Sequence, residues 1–115
     1  MSTVEHFSVW KKRGAEEKRK RELAIEKARS VAQVLKKKHK AKEVILFGSL
    51  IWRPGFLWSG TDIDLMVKGL KAEKYFEILA DVSVIALPFQ IDIIPFEIAR
   101  PPIKKKALKE GLKLE

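Results

Sequence analysis

Val44-Ile45-Leu46-Phe47-Gly48-Ser49 is the stretch from which the other elements of the chain can be placed. Its first four residues form a continuous apolar run rich in strand-forming side chains, which is typical of a buried strand. Gly48-Ser49 ends the run with residues typical of a turn. Residues 61–67 then alternate between apolar and polar side chains, which predicts a second strand with Asp62 and Asp64 on one face.

The remaining segments predict an α/β domain of the α+β type, in which helices flank a small mixed β-sheet. Asp92 lies in the middle of a short apolar strand between two prolines. Residues 82–87 fit either a continued helix or a strand, because a short apolar run does not distinguish the two. In chain order, the other predictions are a loop or a broken turn over residues 50–61, a helix over 71–80, a strand over 90–94 and a helix over 103–110.

The N-terminal segment predicts one long basic helix. Residues 15–42 contain no Pro or Gly, and helix formers dominate them. Residues 11–22 hold almost no apolar side chain, so we expect them to be solvated, frayed or bound to a partner. We therefore divide the chain into a basic N-terminal arm (residues 1–22) and a folded domain (residues 23–115). The apolar stripe that docks the helix is expected to comprise Ala24, Ala28, Val31 and Leu35.

The charge of the chain is concentrated at its N-terminal end. The net charge is +9, and residues 1–43 alone hold 14 Lys and Arg against 6 Asp and Glu. Such a segment could contact the phosphates of a nucleic acid or an acidic protein face. It could equally be a helix whose charged side chains face only solvent.

Composition excludes several classes of protein. The absence of cysteine rules out disulfides and thiolate metal sites. Two histidines make a zinc site or a Ser-His-Asp hydrolase improbable. Because no apolar run reaches membrane-spanning length and no signal-peptide core is present, we expect a cytoplasmic protein without a membrane partner.

Three aspartates within apolar strands carry the chemistry. If the strands of Asp62, Asp64 and Asp92 are neighbours, their carboxylates converge and repel one another. Mg²⁺ or Mn²⁺ would resolve that conflict, and two such ions form the clamp used for displacement at phosphorus. Alternatively, the aspartates face solvent at strand ends or pair with lysines. Gly48-Ser49 after a strand favours phosphate binding, although the same pair is common in simple turns.

Together, Phe47-Gly48-Ser49, Asp62-Ile63-Asp64-Leu65 and Ile91-Asp92-Ile93 resemble the motif of the DNA polymerase β-type nucleotidyltransferase superfamily. Their order and the chain length are similar to those of its minimal members, stand-alone domains encoded beside HEPN-domain proteins in toxin–antitoxin pairs. The resemblance covers roughly residues 23–114. It includes Ala107–Leu112, which resembles the closing helix and Glu-Gly turn of that group.

The resemblance implies a role for each motif residue. Gly48-Ser49 would hold the phosphates of a nucleotide, with Arg53 as a further contact. Asp62 and Asp64 would bind Mg²⁺ together with the triphosphate. Asp92 would bind the catalytic metal and help to deprotonate the attacking hydroxyl. Two Mg²⁺ ions, replaceable by Mn²⁺, and ATP or another NTP are thus implied, with nucleoside monophosphate transferred and pyrophosphate released.

The spacer between Ser49 and Asp62 departs from the pattern of the minimal members. Its 12 residues make it longer than is usual, and it is apolar, with Arg53 as its only charge. Its Trp and Phe side chains could stack on a base or contact a partner protein. They could also fold over the sheet and cover the core.

Three functions remain open from the sequence. The resemblance favours an antitoxin enzyme that transfers AMP from ATP to a hydroxyl of an external acceptor, a HEPN toxin. A second reading is a non-catalytic antitoxin that neutralises its partner by contact alone. A third is a nucleotidyltransferase that acts on RNA bound by the basic arm, although the arm has few aromatic residues for base stacking. The sequence does not decide whether the chain forms a homo-oligomer.

Overall fold

The computed structural model describes the backbone of residues 3–52 and 62–115, with side chains from residue 15 onward except at positions 49, 52 and 62. Helices flank a small mixed sheet and a long helix precedes it, which confirms the predicted fold class. The chain also forms two short 3-10 turns, Ala72–Lys74 and Phe96–Ile98. The elements are α1 (Thr3–Lys37), β1 (Glu43–Phe47), α2 (Ser49–Trp52), β2 (Asp62–Lys68), α3 (Tyr75–Ala86), β3 (Gln90–Pro95), α4 (Pro101–Glu110) and β4 (Leu112–Leu114).

The sheet has four strands in the order β3-β2-β1-β4. β1 pairs antiparallel with β2 and with β4, whereas β2 and β3 run parallel. The parallel pair is connected by α3, since parallel strands need a crossover of a dozen or more residues. Parallel pairing brings the corresponding ends of β2 and β3 to the same edge of the sheet.

Alternation along the strands gives the sheet two different faces. One face carries Ile63, Leu65 and Ile93, which are fully buried against α1 and α3 in the main core. The other face carries a small cluster in which Ala107 of α4 packs on the sheet residues Ile45, Phe47 and Met66. The main core is therefore on the α1/α3 face, and α4 covers only part of the opposite face.

α1 begins earlier and ends earlier than the sequence predicts. Its helical backbone starts at Thr3 and stops at Lys37, five residues before the expected end. Lys40 has a positive φ of 61°, which breaks the helical repeat. The amide of Ala41 donates to the carbonyl of Leu35 at 2.9 Å, and the amide of Lys42 donates to Lys68 at 2.8 Å, where the sheet begins.

The predicted docking stripe of α1 is confirmed, because Ala24, Ala28, Val31 and Leu35 are all buried. The described side chains from residue 15 to residue 23 are exposed or half-buried. The division of the chain at residue 22 remains a prediction, since α1 runs through it as one helix. Despite the length of α1, no helix in the described part of the chain is apolar enough over a sufficient length to cross a membrane.

Residues 82–87, which fit two structures in the sequence, belong largely to α3. Ile78, Val82 and Ala86 are buried at steps of four, the spacing of one helix face. Val84 lies on the opposite side of the helix and is 70% exposed. A strand would have placed Val82 and Val84 on the same face.

Two further elements differ from the sequence predictions. Ser49–Trp52 forms the short helix α2, whereas we predicted a loop or a broken turn from residue 50 onward. Leu50 drives this turn, because its side chain is fully buried in the main core. Leu112–Leu114 forms a fourth strand that the sequence analysis missed, because three residues are too few to show a period.

An ionic contact joins the end of α1 to α3. His39 Nε2 lies 2.8 Å from Asp81 Oδ2, and Lys38 Nζ lies 3.0 Å from the same oxygen. His39 is nearly buried, with 10% of its side chain exposed. The contact holds the turn after α1 against α3, on the side of the sheet that α4 does not cover.

We expect Leu46→Ala to lower the free energy of unfolding by about 2–5 kcal/mol. Leu46 lies in the central part of the sheet and is fully buried, so truncation leaves a cavity. The matched control is Leu108→Ala, whose side chain is 50% exposed and which should change stability by about 0.5 kcal/mol or less. Urea denaturation measures both, and equal losses in the two variants would contradict the placement of the core.

We expect the stabilising effect of Asp81 to disappear in acid. Hydrogen bonding from His39, and then from Lys38, lowers the pKa of Asp81 below its ordinary 3.8. A carboxyl with a lower pKa in the folded state stabilises the fold above its unfolded pKa, and this contribution is lost as the pH falls through the folded value. Wild type should therefore be more stable than Asp81→Asn near neutral pH, and the difference should shrink below pH 3.8.

Urea denaturation of both proteins over a pH series measures this difference. Glu77→Gln is the control, because Glu77 is an exposed carboxyl on the same helix. A difference between wild type and Asp81→Asn that stays constant in acid would show that the ionic contact does not form.

Candidate functional site

A cavity of about 440 Å³ opens between α4 and the ends of the strands on the face opposite the main core. Phe47 and Gly48 line it from the end of β1, Asp64 from β2 and Ile94 from β3. Its other wall comes from α4. The residues of that wall are Pro102, Ile103 and Lys106.

The register of the sheet places Asp64 and Asp92 side by side. Their Cα atoms are direct partners in the parallel β2–β3 pair, and neighbouring strands lie about 4.8 Å apart. Asp64 alternates with the buried Ile63 and Leu65, so it lies on the face that α4 partly covers. Asp92 shares that face, because its neighbour Ile93 is buried in the main core. Two carboxylates thus stand side by side on this face of the sheet, and Asp64 lines the cavity.

The third predicted aspartate, Asp62, is the first residue of β2. Asp62 is paired with Gln90 by its backbone, two residues before Asp64 along the same strand. Its side chain is outside the described part of the structure. The convergence of three carboxylates therefore remains a prediction. The structure describes the side chains of Asp64 and Asp92 and the backbone of Asp62.

Gly48 allows the end of β1 to approach Asp64. Its φ of +85° is in the region that only glycine adopts readily. A Cβ atom at this position would collide with Oδ2 of Asp64. The glycine therefore leaves space for the carboxylate directly against the end of β1.

Tyr75 of α3 contacts the strand that carries Asp92. The hydroxyl of Tyr75 donates to the carbonyl of Ile93 at 2.8 Å. Burial, and secondarily the negative charge of Asp92, raises the pKa of Tyr75 above its ordinary 10.0. The phenol is thus neutral at physiological pH, and its hydrogen bond fixes the strand segment that carries Asp92.

These residues fit the divalent metal that the sequence resemblance implies. Carboxylate oxygens are hard ligands that suit Mg²⁺ and Mn²⁺, and Asp64 and Asp92 are register partners on neighbouring strands. Among the side chains that the structure describes, no three His, Asp or Glu residues form a metal-binding group. Asp62 is not among those side chains. The described pair would need Asp62 to complete the predicted ligand set.

The other predicted contacts are described less fully. Ser49 is the first residue of α2, directly after the glycine, and its side chain is outside the described residues. Arg53 and the aromatic part of the spacer also lie outside them. The guanidinium of Arg21 on α1 donates to the carbonyl of Leu50 at 3.2 Å, which ties α2 to the long helix.

The sequence analysis missed the α4 wall of the cavity. Pro102, Ile103 and Lys106 show no motif, and their helix was expected only to close the domain. Their position follows from the packing of Ala107 on the sheet, which the sequence does not reveal. A lysine in a helix rich in lysines carries no signal of its own.

The chain is similar to known nucleotidyltransferases. The family model described as "Polymerase beta, Nucleotidyltransferase" matches residues 29–114. A solved chain provisionally described as a minimal nucleotidyltransferase superposes with a TM-score of 0.59 and 22% sequence identity. The superposition covers 73% of this chain and 86% of that one, and this identity supports a shared fold. No protein of curated function matches the chain.

We expect Gly48→Ala to displace the Asp64 carboxylate and to abolish binding of ATP with Mg²⁺. A positive φ costs an alanine about 1 kcal/mol. The collision of the new Cβ with the Asp64 carboxylate adds to that cost. The matched control is Gly69→Ala, because Gly69 has a similar φ of +91° and contacts Lys42 rather than an aspartate. Both variants should lose stability in urea denaturation, but only Gly48→Ala should lose ATP binding in calorimetry. Equal ATP affinity in the two variants would contradict this role of Gly48.

Proposed function

Because this chain belongs to the polymerase β nucleotidyltransferase family, we propose that it transfers a nucleoside monophosphate from an NTP to a hydroxyl group of an external acceptor. ATP is the proposed donor and AMP the transferred group. The acceptor is proposed to be a partner protein, a HEPN toxin, so that the chain acts as its antitoxin. The donor and the partner both rest on the resemblance to minimal members of the superfamily.

The pairing of Asp64 with Asp92 carries this proposal. Two carboxylates on adjacent strands repel each other, and a positively charged ligand bound between them would be stabilised by both. Asp64 lines a cavity that Gly48 also lines. Paired carboxylates beside such a cavity are the ligands that phosphoryl transfer assisted by divalent ions uses.

The proposed reaction is an in-line displacement at the α-phosphorus. The acceptor oxygen forms a bond to that phosphorus while its bond to the oxygen bridging to the β-phosphate breaks. The hydroxyl proton passes to Asp92, and the electron pair of the broken bond leaves with pyrophosphate. Gly48 and Ser49 hold the phosphates in line, so that catalysis comes mainly from positioning.

Asp62, Asp64 and Asp92 are the residues that would hold Mg²⁺ or Mn²⁺. Divalent ions bound there would supply positive charge to the phosphoryl oxygens as negative charge develops on them. The protein itself contributes the rigid sheet on which the carboxylates stand. Leu65 and Ile93, buried directly after Asp64 and Asp92, fix the two strands at this position.

Several large apolar side chains of the described residues are exposed. Phe76 and Val84 on α3 are 81% and 70% exposed, and Ile98 is 77% exposed. Aromatic side chains such as Phe76 are enriched where proteins contact one another, which suits a protein as acceptor. The same observation favours the second candidate function, a non-catalytic antitoxin that neutralises its partner by contact alone.

We expect wild type to bind ATP only when Mg²⁺ is present, and Asp62→Ala/Asp64→Ala to lose this binding by at least about tenfold. The reason is that the double variant removes the carboxylates that would bring the ion to the triphosphate. Isothermal titration calorimetry measures the affinities. The matched control, Glu73→Ala/Glu77→Ala, removes the same charge from exposed positions on the segment that leads into α3 and on α3 itself.

The outcome separates the two candidate functions. Loss of ATP binding and of toxin neutralisation in Asp62→Ala/Asp64→Ala, with both retained in the control, supports the enzyme. Full neutralisation by the double variant would establish contact-only inhibition instead. An affinity for ATP that is equal in wild type and double variant would overturn the assignment of the site.

A further inference from the structure

Lys106 on α4 lines the cavity together with Asp64 and Gly48, and neither the sequence motif nor the family match assigns it a role. We propose that the Lys106 ammonium binds the phosphate groups of the nucleoside triphosphate. This inference rests on the proposed function, because it places a nucleotide in the same cavity. The proposed phosphate contact is made by α4 and is separate from the Gly48-Ser49 motif.

The packing of α4 fixes the direction in which Lys106 projects. Its neighbour Ala107 is fully buried against Ile45, Phe47 and Met66, which sets the rotation of the helix about its axis. Successive helical residues differ by about 100° in direction, so Lys106 projects beside the sheet and not into it. Pro101 and Pro102 in the first turn further restrict the start of the helix. The lysine thus extends from a rigid element.

The two lysines that precede Lys106 on α4 have different surroundings. Lys104 Nζ lies 4.4 Å from the centroid of the Phe96 ring, in a cation–π contact. Lys105 lines a separate groove together with Pro101 and Leu108. Of the lysines in the described ranges, Lys106 is the one among the lining residues of the Gly48–Asp64 cavity.

The charges of the cavity match a triphosphate. Asp64 contributes a negative charge to the lining and Lys106 a positive one. Asp92 stands beside Asp64 on the next strand, and the two carboxylates suit a divalent cation. A triphosphate with its cation presents both signs at once. Lysine binds phosphate as a point charge, which tolerates the change in phosphate geometry during transfer. The backbone at Gly48 supplies only neutral donors, so a cation from α4 would carry much of the attraction for the anion.

The test compares Lys106→Ala with Lys105→Ala, a matched control on the same helix. Calorimetry with ATP and Mg²⁺, and with AMP as a probe that lacks the β- and γ-phosphates, measures the affinities. We expect Lys106→Ala to weaken ATP binding about tenfold and AMP binding much less, because charged hydrogen bonds to phosphate are lost. Lys105→Ala should bind both as wild type does, and Lys106→Arg should retain most of the ATP affinity.

Each outcome decides the inference. ATP affinities that agree in the two alanine variants, or an equal loss for ATP and AMP, would overturn the role of Lys106 and leave the proposed function standing. Absence of ATP binding by wild type with Mg²⁺ or Mn²⁺ would overturn both. If thermal unfolding shows that Lys106→Ala destabilises α4, Lys106→Gln provides the same comparison with the side-chain length nearly kept.

Discussion

The parallel pairing of β2 with β3 is the constraint on which the candidate site depends. Ile63, Leu65 and Ile93 are buried against α1 and α3, and full burial of each is worth about 1.5–3 kcal/mol. Repulsion between two carboxylates is about 1 kcal/mol at ~4 Å in water. Burial therefore prevails, and Asp64 and Asp92 stay together because a shift of either strand by one residue would expose its core positions.

The two faces of the sheet differ in what they contain. The α1/α3 face contains the main core, including the small residues Ala24 and Ala28 that let α1 approach closely. Among the described residues, the α4 face has a cluster of four buried residues, and a cavity lies beside the helix. The main core on one face thus supports a charged site on the other.

Much of the fold could be predicted from local patterns. The apolar run before Gly48, the alternation around Asp64 and the apolar stripe of α1 each have a period that belongs to one kind of element. The motif Gly-Ser, Asp-x-Asp and a third strand aspartate indicated the polymerase β-type nucleotidyltransferases, and the family match over residues 29–114 confirms that membership. The prediction failed for α2 and β4, because four-residue and three-residue segments are too short to display a period.

The sequence by itself determined the types of the long elements, the family and the identity of the acidic residues, since these follow from side-chain chemistry and spacing along the chain. Only the tertiary structure decided that Asp64 stands opposite Asp92, because strand order and register depend on contacts between residues far apart in sequence. The same holds for Lys106. Its place beside the cavity depends on the burial of Ala107 against β1 and β2, and a helical pattern alone cannot say which of several lysines will face a ligand.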